Sequence, residues 1–121
     1  YQIAAFDTLL RASNAGRAVL VSSGAAQGAR AYWGAYAVSK AGLEAMARAW
    51  AAESEKTEMR INLIDPGATR TAMRAAAYPG EAPDSLRTAE DITPAFLHLL
   101  STDCTSQGML YKAAELSAKL G

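Results

Sequence analysis

Tyr36 and Lys40 stand four residues apart in the stretch Gly34 to Ser54, GAYAVSKAGLEAMARAWAAES. On a helix that spacing puts a phenol and an ammonium on one face, one turn from each other. In a partly desolvated place the ammonium stabilises the phenolate beside it. Such a pair can give and take a proton near neutral pH, which is general acid–base chemistry. Thirteen residues before Tyr36, at the end of the apolar run Ala18-Val19-Leu20-Val21, stands Ser23. Taken singly, each residue also has an ordinary reading: a surface Tyr with a snorkelling Lys, and a turn-forming Ser.

A second apolar run ends in Asp65-Pro66-Gly67-Ala68-Thr69-Arg70-Thr71. Pro66 removes a ladder donor, and Gly67 lets the backbone approach a flat ring closely. Thr69 and Thr71 alternate outward with hydroxyls and amides available. Ser23, Tyr36-x-x-x-Lys40 and Pro66-Gly67-x-x-x-Thr71, in that order and spacing, resemble the short-chain dehydrogenase/reductase family. The resemblance implies an oxidoreductase that moves hydride between the nicotinamide of NAD or NADP and a small-molecule carbonyl or alcohol. It implies catalytic roles for Ser23, Tyr36 and Lys40. Ser23 would hydrogen-bond the substrate oxygen, Tyr36 would carry the proton, and Lys40 would promote Tyr36 ionisation and bind the nicotinamide ribose. Pro66 and Gly67 would back the nicotinamide ring and Thr71 would bind its carboxamide. Thr69 replaces the family's more usual Val or Ile, at a contact made through backbone.

These side chains need elements to hold them. Ile3, Phe6, Leu9, Leu10 and Ala12 share a helical stripe, so residues 1–14 read as a helix. Ser13-Asn14-Ala15-Gly16 would stop it, with Gly16 as the left-handed residue of the helix end. Arg17 to Ser22 lacks alternation, as a parallel strand buried on both faces does. Gly24 to Ala29 is a small-residue loop at its carboxyl end, where open α/β sheets place their chemistry. Gly24-x-x-x-Gly28 is neither dinucleotide nor P-loop spacing. The Gly34 to Ser54 helix is apolar almost all round, which predicts cover on two sides. Tyr32 and Trp33 before it suit a pocket lining or, more commonly, a staple to the core. Met59 to Ile64 is a second strand, and 72–87 a loop with a short helical turn. Thr88 to Asp91 has the form of a capping box. A helix follows over Ile92 to Leu100, which Pro94 would kink or restart with Thr93 as cap. Gly108 to Tyr111 suits a last short strand.

Composition removes several function classes. The 121 residues are 50% hydrophobic and 20% charged, with zero formal net charge and no basic stripe. Nucleic acid and membrane surfaces are therefore not expected as partners. Cys104 is alone, which excludes an internal disulfide and fits a reducing, cytoplasmic compartment. Neither Cys104 nor His98 has neighbours at metal-ligand spacing.

The expected fold class is α/β, the C-terminal part of a Rossmann-like, doubly wound parallel sheet of about three strands with flanking helices. The whole chain, 1–121, would be one partial domain holding the active-site half. A chain opening on Tyr1 without a glycine-rich phosphate loop reads as lacking the N-terminal cofactor-binding half. Self-association as a homodimer or homotetramer is expected: Ala41, Ala45 and Ala52 let copies of the 34–54 helix approach closely, and the resemblance implies that the 1–14 helix joins that interface. Two alternatives stay open: a catalytically silent binding or assembly module, and a nucleotide-sugar epimerase or dehydratase of the extended branch, which shares Tyr-x-x-x-Lys.

Overall fold

The computed structural model describes residues 2–121; Tyr1, the first residue of the expected 1–14 helix, lies outside them. Helix α1 (Gln2–Ala12) leads into strand β1 (Arg17–Val21). Helix α2 (Gly34–Glu53) crosses to strand β2 (Arg60–Asp65). Then come α3 (Ala72–Ala77), α4 (Ala89–Leu100), strand β3 (Leu110–Lys112) and α5 (Ala113–Leu120). The strands lie in the order β1-β2-β3 and both pairings are parallel, Val19 opposite Asn62 and Leu63 opposite Leu110. Helices cover both faces, which is the expected Rossmann-like α/β arrangement.

Strand β2 is the centre, and its side chains alternate between two cores as the pleat requires. Ile61 packs with Trp50, Ala51 and Met59 on the α2 side, joined by Ile3, Leu10 and Leu20. Ile64 packs with Ile92, Ala95, Leu99, Cys104 and Ala113 on the other. Ile61, Leu63 and Ile64 have 0% exposure, and full burial of such a side chain stabilises by roughly 1.5–3 kcal/mol. Strand β1 is only half-buried, because its one neighbour among the described residues is β2. The buried Asn62 is fully bonded: Nδ2 donates to Ser106 O at 2.9 Å, and Oδ1 accepts from Met109 N at 3.1 Å. Its Nδ2 also touches the buried, free Cys104 thiol, which makes that cysteine a packing residue.

Helix α1 is pinned to α2 through Asp7. Its carboxylate accepts from Trp50 Nε1 at 2.6 Å and Arg11 Nε at 2.8 Å. The bond from Arg11, then that from Trp50, holds the Asp7 carboxyl below the usual carboxylate range.

Several details differ from the expectations. Gly16 is not left-handed; positive φ among glycines belongs to Gly67 and Gly108. Its need is space, since a Cβ there would stand 2.3 Å from Leu10 O. Helix α2 buries one stripe, Glu44, Ala47, Trp50 and Ala51, rather than two sides. Its opposite side is open, with Val38 73% and Met46 47% exposed. Pro94 does not restart the helix with Thr93 as cap: α4 begins at a Thr88 cap and runs through it. The full Thr88–Asp91 capping box secures the first turn, so only one interior N–H is lost at Pro94. The last strand falls two residues later than Gly108.

Candidate active site

Two parallel strands joined by a helix end at the same edge of the sheet, and the loops that follow them carry Ser23 and Pro66 to Thr71. The β1–β2 ladder runs one step beyond β1, where Ser22 N donates to Ile64 O at 2.8 Å. Ser23 follows in extended conformation and caps a short 3-10 turn, Gly24–Ala26, its Oγ accepting from Ala25 N at 3.2 Å. Lys40 Nζ reaches back from α2 to Val21 O at 2.9 Å and lies 5.9 Å from the Tyr36 ring centroid. The phenol is partly exposed, at 36%.

The second loop lies alongside. A Cβ on Gly24 would meet Asp65 Oδ2 at 3.5 Å, so the two strand ends are neighbours. Asp65 Oδ1 accepts from Gly67 N at 2.9 Å, turning the chain after Pro66, and Gly67 takes φ +70. Any other residue at that φ is strained. Nothing stands within 4 Å of where a Gly67 side chain would begin, so that face is open. Thr69 donates to Gly67 O at 3.3 Å and bridges to Arg87. Thr71 caps α3, accepting from Arg74 N at 3.1 Å.

An aromatic wall flanks Tyr36. Trp33 meets it edge-on, with centroids 5.6 Å apart, and stacks on Tyr78 at 6.1 Å. Trp33 is thus not a core staple, and Tyr32 is fully exposed with φ 67. Arg30 donates to the Tyr78 hydroxyl, and the Arg74 guanidinium lies 3.8 Å over the Tyr78 ring. Arg74 is held by Glu81 through bonds of 2.7 and 2.8 Å, and the guanidinium keeps the Glu81 carboxyl below the usual range. The segment after α3 therefore folds back onto the entry of α2, a contact between residues far apart in sequence.

Beneath this edge lies a buried polar cluster with no counterpart among the expected site residues. Glu44, 4% exposed, accepts from Ser22 Oγ and Gln27 Nε2, each at 2.5 Å, and from Arg48 at 3.2 Å. The sequence signal is a lone carboxylate eight residues after Tyr36 and four after Lys40, on a stripe otherwise made of Ala and Trp.

The short chain dehydrogenase family model matches residues 2–82. The chain belongs to that family. It is 45% identical over 106 residues to the uncharacterized oxidoreductase YciK of Escherichia coli strain K12, covering 87% of this chain and 42% of YciK. Among solved structures, a short chain dehydrogenase of Escherichia coli CFT073 complexed with NADPH matches with TM-score 0.86 and 44% identity, over 91% of this chain and 46% of that one. One from Shigella flexneri 2a strain 301, complexed with NADP, matches with TM-score 0.86 and 43% identity, over 92% and 46%. The chain thus spans less than half the length of these relatives.

Motif spacing alone points to the family's C-terminal half, with the N-terminal cofactor-binding half absent; that expectation is corrected. The family match takes in residues 2–82, the N-terminal majority of this chain, and the structural matches run through 91% and 92% of it. A glycine-rich loop not found in these residues is a motif not found, and it marks no boundary. The likeness is carried by the β1–α2–β2 unit and the segments around it.

Proposed function

We propose that the protein is an NAD(P)-dependent oxidoreductase acting on a small-molecule carbonyl or alcohol, with Tyr36 as the proton carrier. The observation that supports this reading is that Lys40 bonds Val21 O at the end of β1 and lies 5.9 Å from the Tyr36 ring, while Gly24, next to Ser23, lies against Asp65 at the end of β2. When bound, a nicotinamide cofactor supplies or accepts the hydride. The residues present suit such a group: Gly67 leaves an open face for a flat ring, with Pro66 beside it.

The hydrogen-bond inventory supports a role for each side chain. Ser23 Oγ accepts from its own loop, so its O–H is left to donate to a substrate oxygen. Thr71 likewise accepts from Arg74 N and keeps its O–H for the carboxamide. Lys40 spends one of three N–H groups on Val21 O and has two for ribose hydroxyls and the Tyr36 oxygen. Trp33, edge-on, gives the Tyr36 phenol an apolar neighbour. Thr69 Oγ1 donates to Gly67 O and the Thr69 backbone bridges to Arg87, which supports a cofactor contact through backbone at this position. The NADPH and NADP bound in the two similar structures favour NADP(H) as the first cofactor to try. The whole protein, given NADPH or NADH and a panel of aldehydes and ketones, should oxidise cofactor in a carbonyl-dependent way, followed by absorbance. Cofactor binding without turnover across the panel would favour the silent binding module instead.

Self-association belongs to the same reading. Phe6 (55%) and Leu9 (67%) on α1 and Val38 (73%) and Met46 (47%) on α2 expose apolar surface. Ala41, Ala45 and Ala52 on α2 are exposed with them, leaving room for a close helix approach. A symmetric pairing of two copies through α1 and α2 would bury this surface. Sedimentation at micromolar concentration should show a dimer or tetramer; a strict monomer refutes it. No helix among the described residues is long and apolar enough to cross a membrane. A cytoplasmic site of action is supported by the single free thiol of Cys104.

A further inference from the structure

Tyr36, Lys40 and Glu44 follow one another at four-residue steps along α2. The first two face the sheet edge; the third is buried under it. Burying a carboxylate is costly unless its oxygens are paired, and here a hydrophobic residue would pack more cheaply. The donors that satisfy it are not scattered. Ser22 precedes Ser23 and the short turn Gly24–Ala26, and Gln27 follows them. Both donate to the same oxygen, Glu44 Oε1, each at 2.5 Å. The four residues 23–26 are therefore clamped at both ends to one atom of α2. Ser23's own side chain has no bond to α2; its one side-chain bond among the described residues is to Ala25 N, inside its loop.

We propose that Glu44 is a positioning residue: its carboxylate fixes the Ser23 loop against the helix that carries Tyr36 and Lys40. Charge-assisted bonds are short and strong, and two from opposite ends of a loop define where it sits. This rests on the roles proposed above for Ser23 and Tyr36. Placement to within about half an ångström is what such a hydroxyl requires to act in the reaction.

The test is a double-mutant cycle in the whole protein, combining Glu44→Met with Ser23→Ala and reading turnover and cofactor affinity separately. Glu44→Met, near in volume and with only a weak sulfur acceptor, should lower kcat about tenfold or more and change NADPH affinity less than about twofold. Glu44→Gln keeps an oxygen for both donors and should recover most of the loss. In the Ser23→Ala background, Glu44→Met should cost less than about twofold, because the group it positions is gone. Equal losses in both backgrounds, or full turnover in Glu44→Met, overturn the proposal. Should Glu44→Met fail to fold, Gln27→Ala cuts one tether from the exposed side and must show the same non-additivity with Ser23→Ala on a smaller scale; additive losses there overturn it equally. Full turnover in both Ser23→Ala and Tyr36→Phe would remove the underlying reading, and the proposal with it, whereas additive losses overturn the proposal alone.

Discussion

Tyr36→Phe is expected to lose about two to four decades of turnover, the range for removal of a general acid–base group, while cofactor affinity stays near its original value. The substitution deletes one oxygen and leaves the ring. Trp33 keeps its edge-on partner at 5.6 Å, and the Lys40 ammonium keeps the ring it lies 5.9 Å from. Among the described residues the bond made to Tyr36 from a side chain goes to its backbone oxygen, from Ser39 Oγ, and that bond survives the substitution. A thermal melt should be unchanged within a degree or two, since surface changes of this kind cost roughly 0.5 kcal/mol or less. Steady-state kinetics with an accepted carbonyl substrate, with calorimetric titration of NADPH beside it, reads both quantities. Turnover close to that of the unsubstituted protein would end the assignment of Tyr36 as proton carrier.

Lys40→Ala should fall on two quantities together. The ammonium is assigned both to the Tyr36 oxygen and to ribose hydroxyls, so turnover should drop by about two decades and cofactor affinity by about tenfold, the loss of one charged hydrogen bond. Lys40 also donates to Val21 O at 2.9 Å, and that carbonyl would turn to water once the side chain is gone. Lys40→Arg is not expected to restore function. A planar fork cannot serve a carbonyl, a phenol and a ribose from one point as a rotating ammonium can. Nicotinamide affinity that did not change in Lys40→Ala would strike the ribose contact from the account.

What could be seen in the sequence divides by distance along the chain. Tyr36 and Lys40 were legible because helical geometry alone relates them. The strand ends were legible within a residue, because Gly16 and Pro66-Gly67 bound the apolar runs. The Thr88–Asp91 cap is local for the same reason. The misplaced third strand is non-local: Gly108 N bonds Ile61 O and Met109 N bonds Asn62, partners almost fifty residues earlier. Trp33 on Tyr78, and Glu44 with Ser22 and Gln27, likewise join separate segments. Glu44 was in plain view as an odd carboxylate on an apolar stripe; its partners were not. Apolar patterning on α2 misled in the other direction, since it reports what a helix can bury and not what this chain covers.

The buried Asn62 has a consequence for how the sheet assembles. Arg60–Asp65 and Leu110–Lys112 are short and parallel, and a slide of two residues would keep every side chain on its own face. Hydrophobic contact alone therefore distinguishes poorly between the native alignment and its neighbours. Asn62 makes the distinction sharp: two residues out of step, its amide would face hydrocarbon with no donor or acceptor to meet it, a penalty of roughly 1–3 kcal/mol. The residue acts as a proofreader of the alignment of the last strand on the central one, rejecting sheets in which Leu110–Lys112 is mispaired.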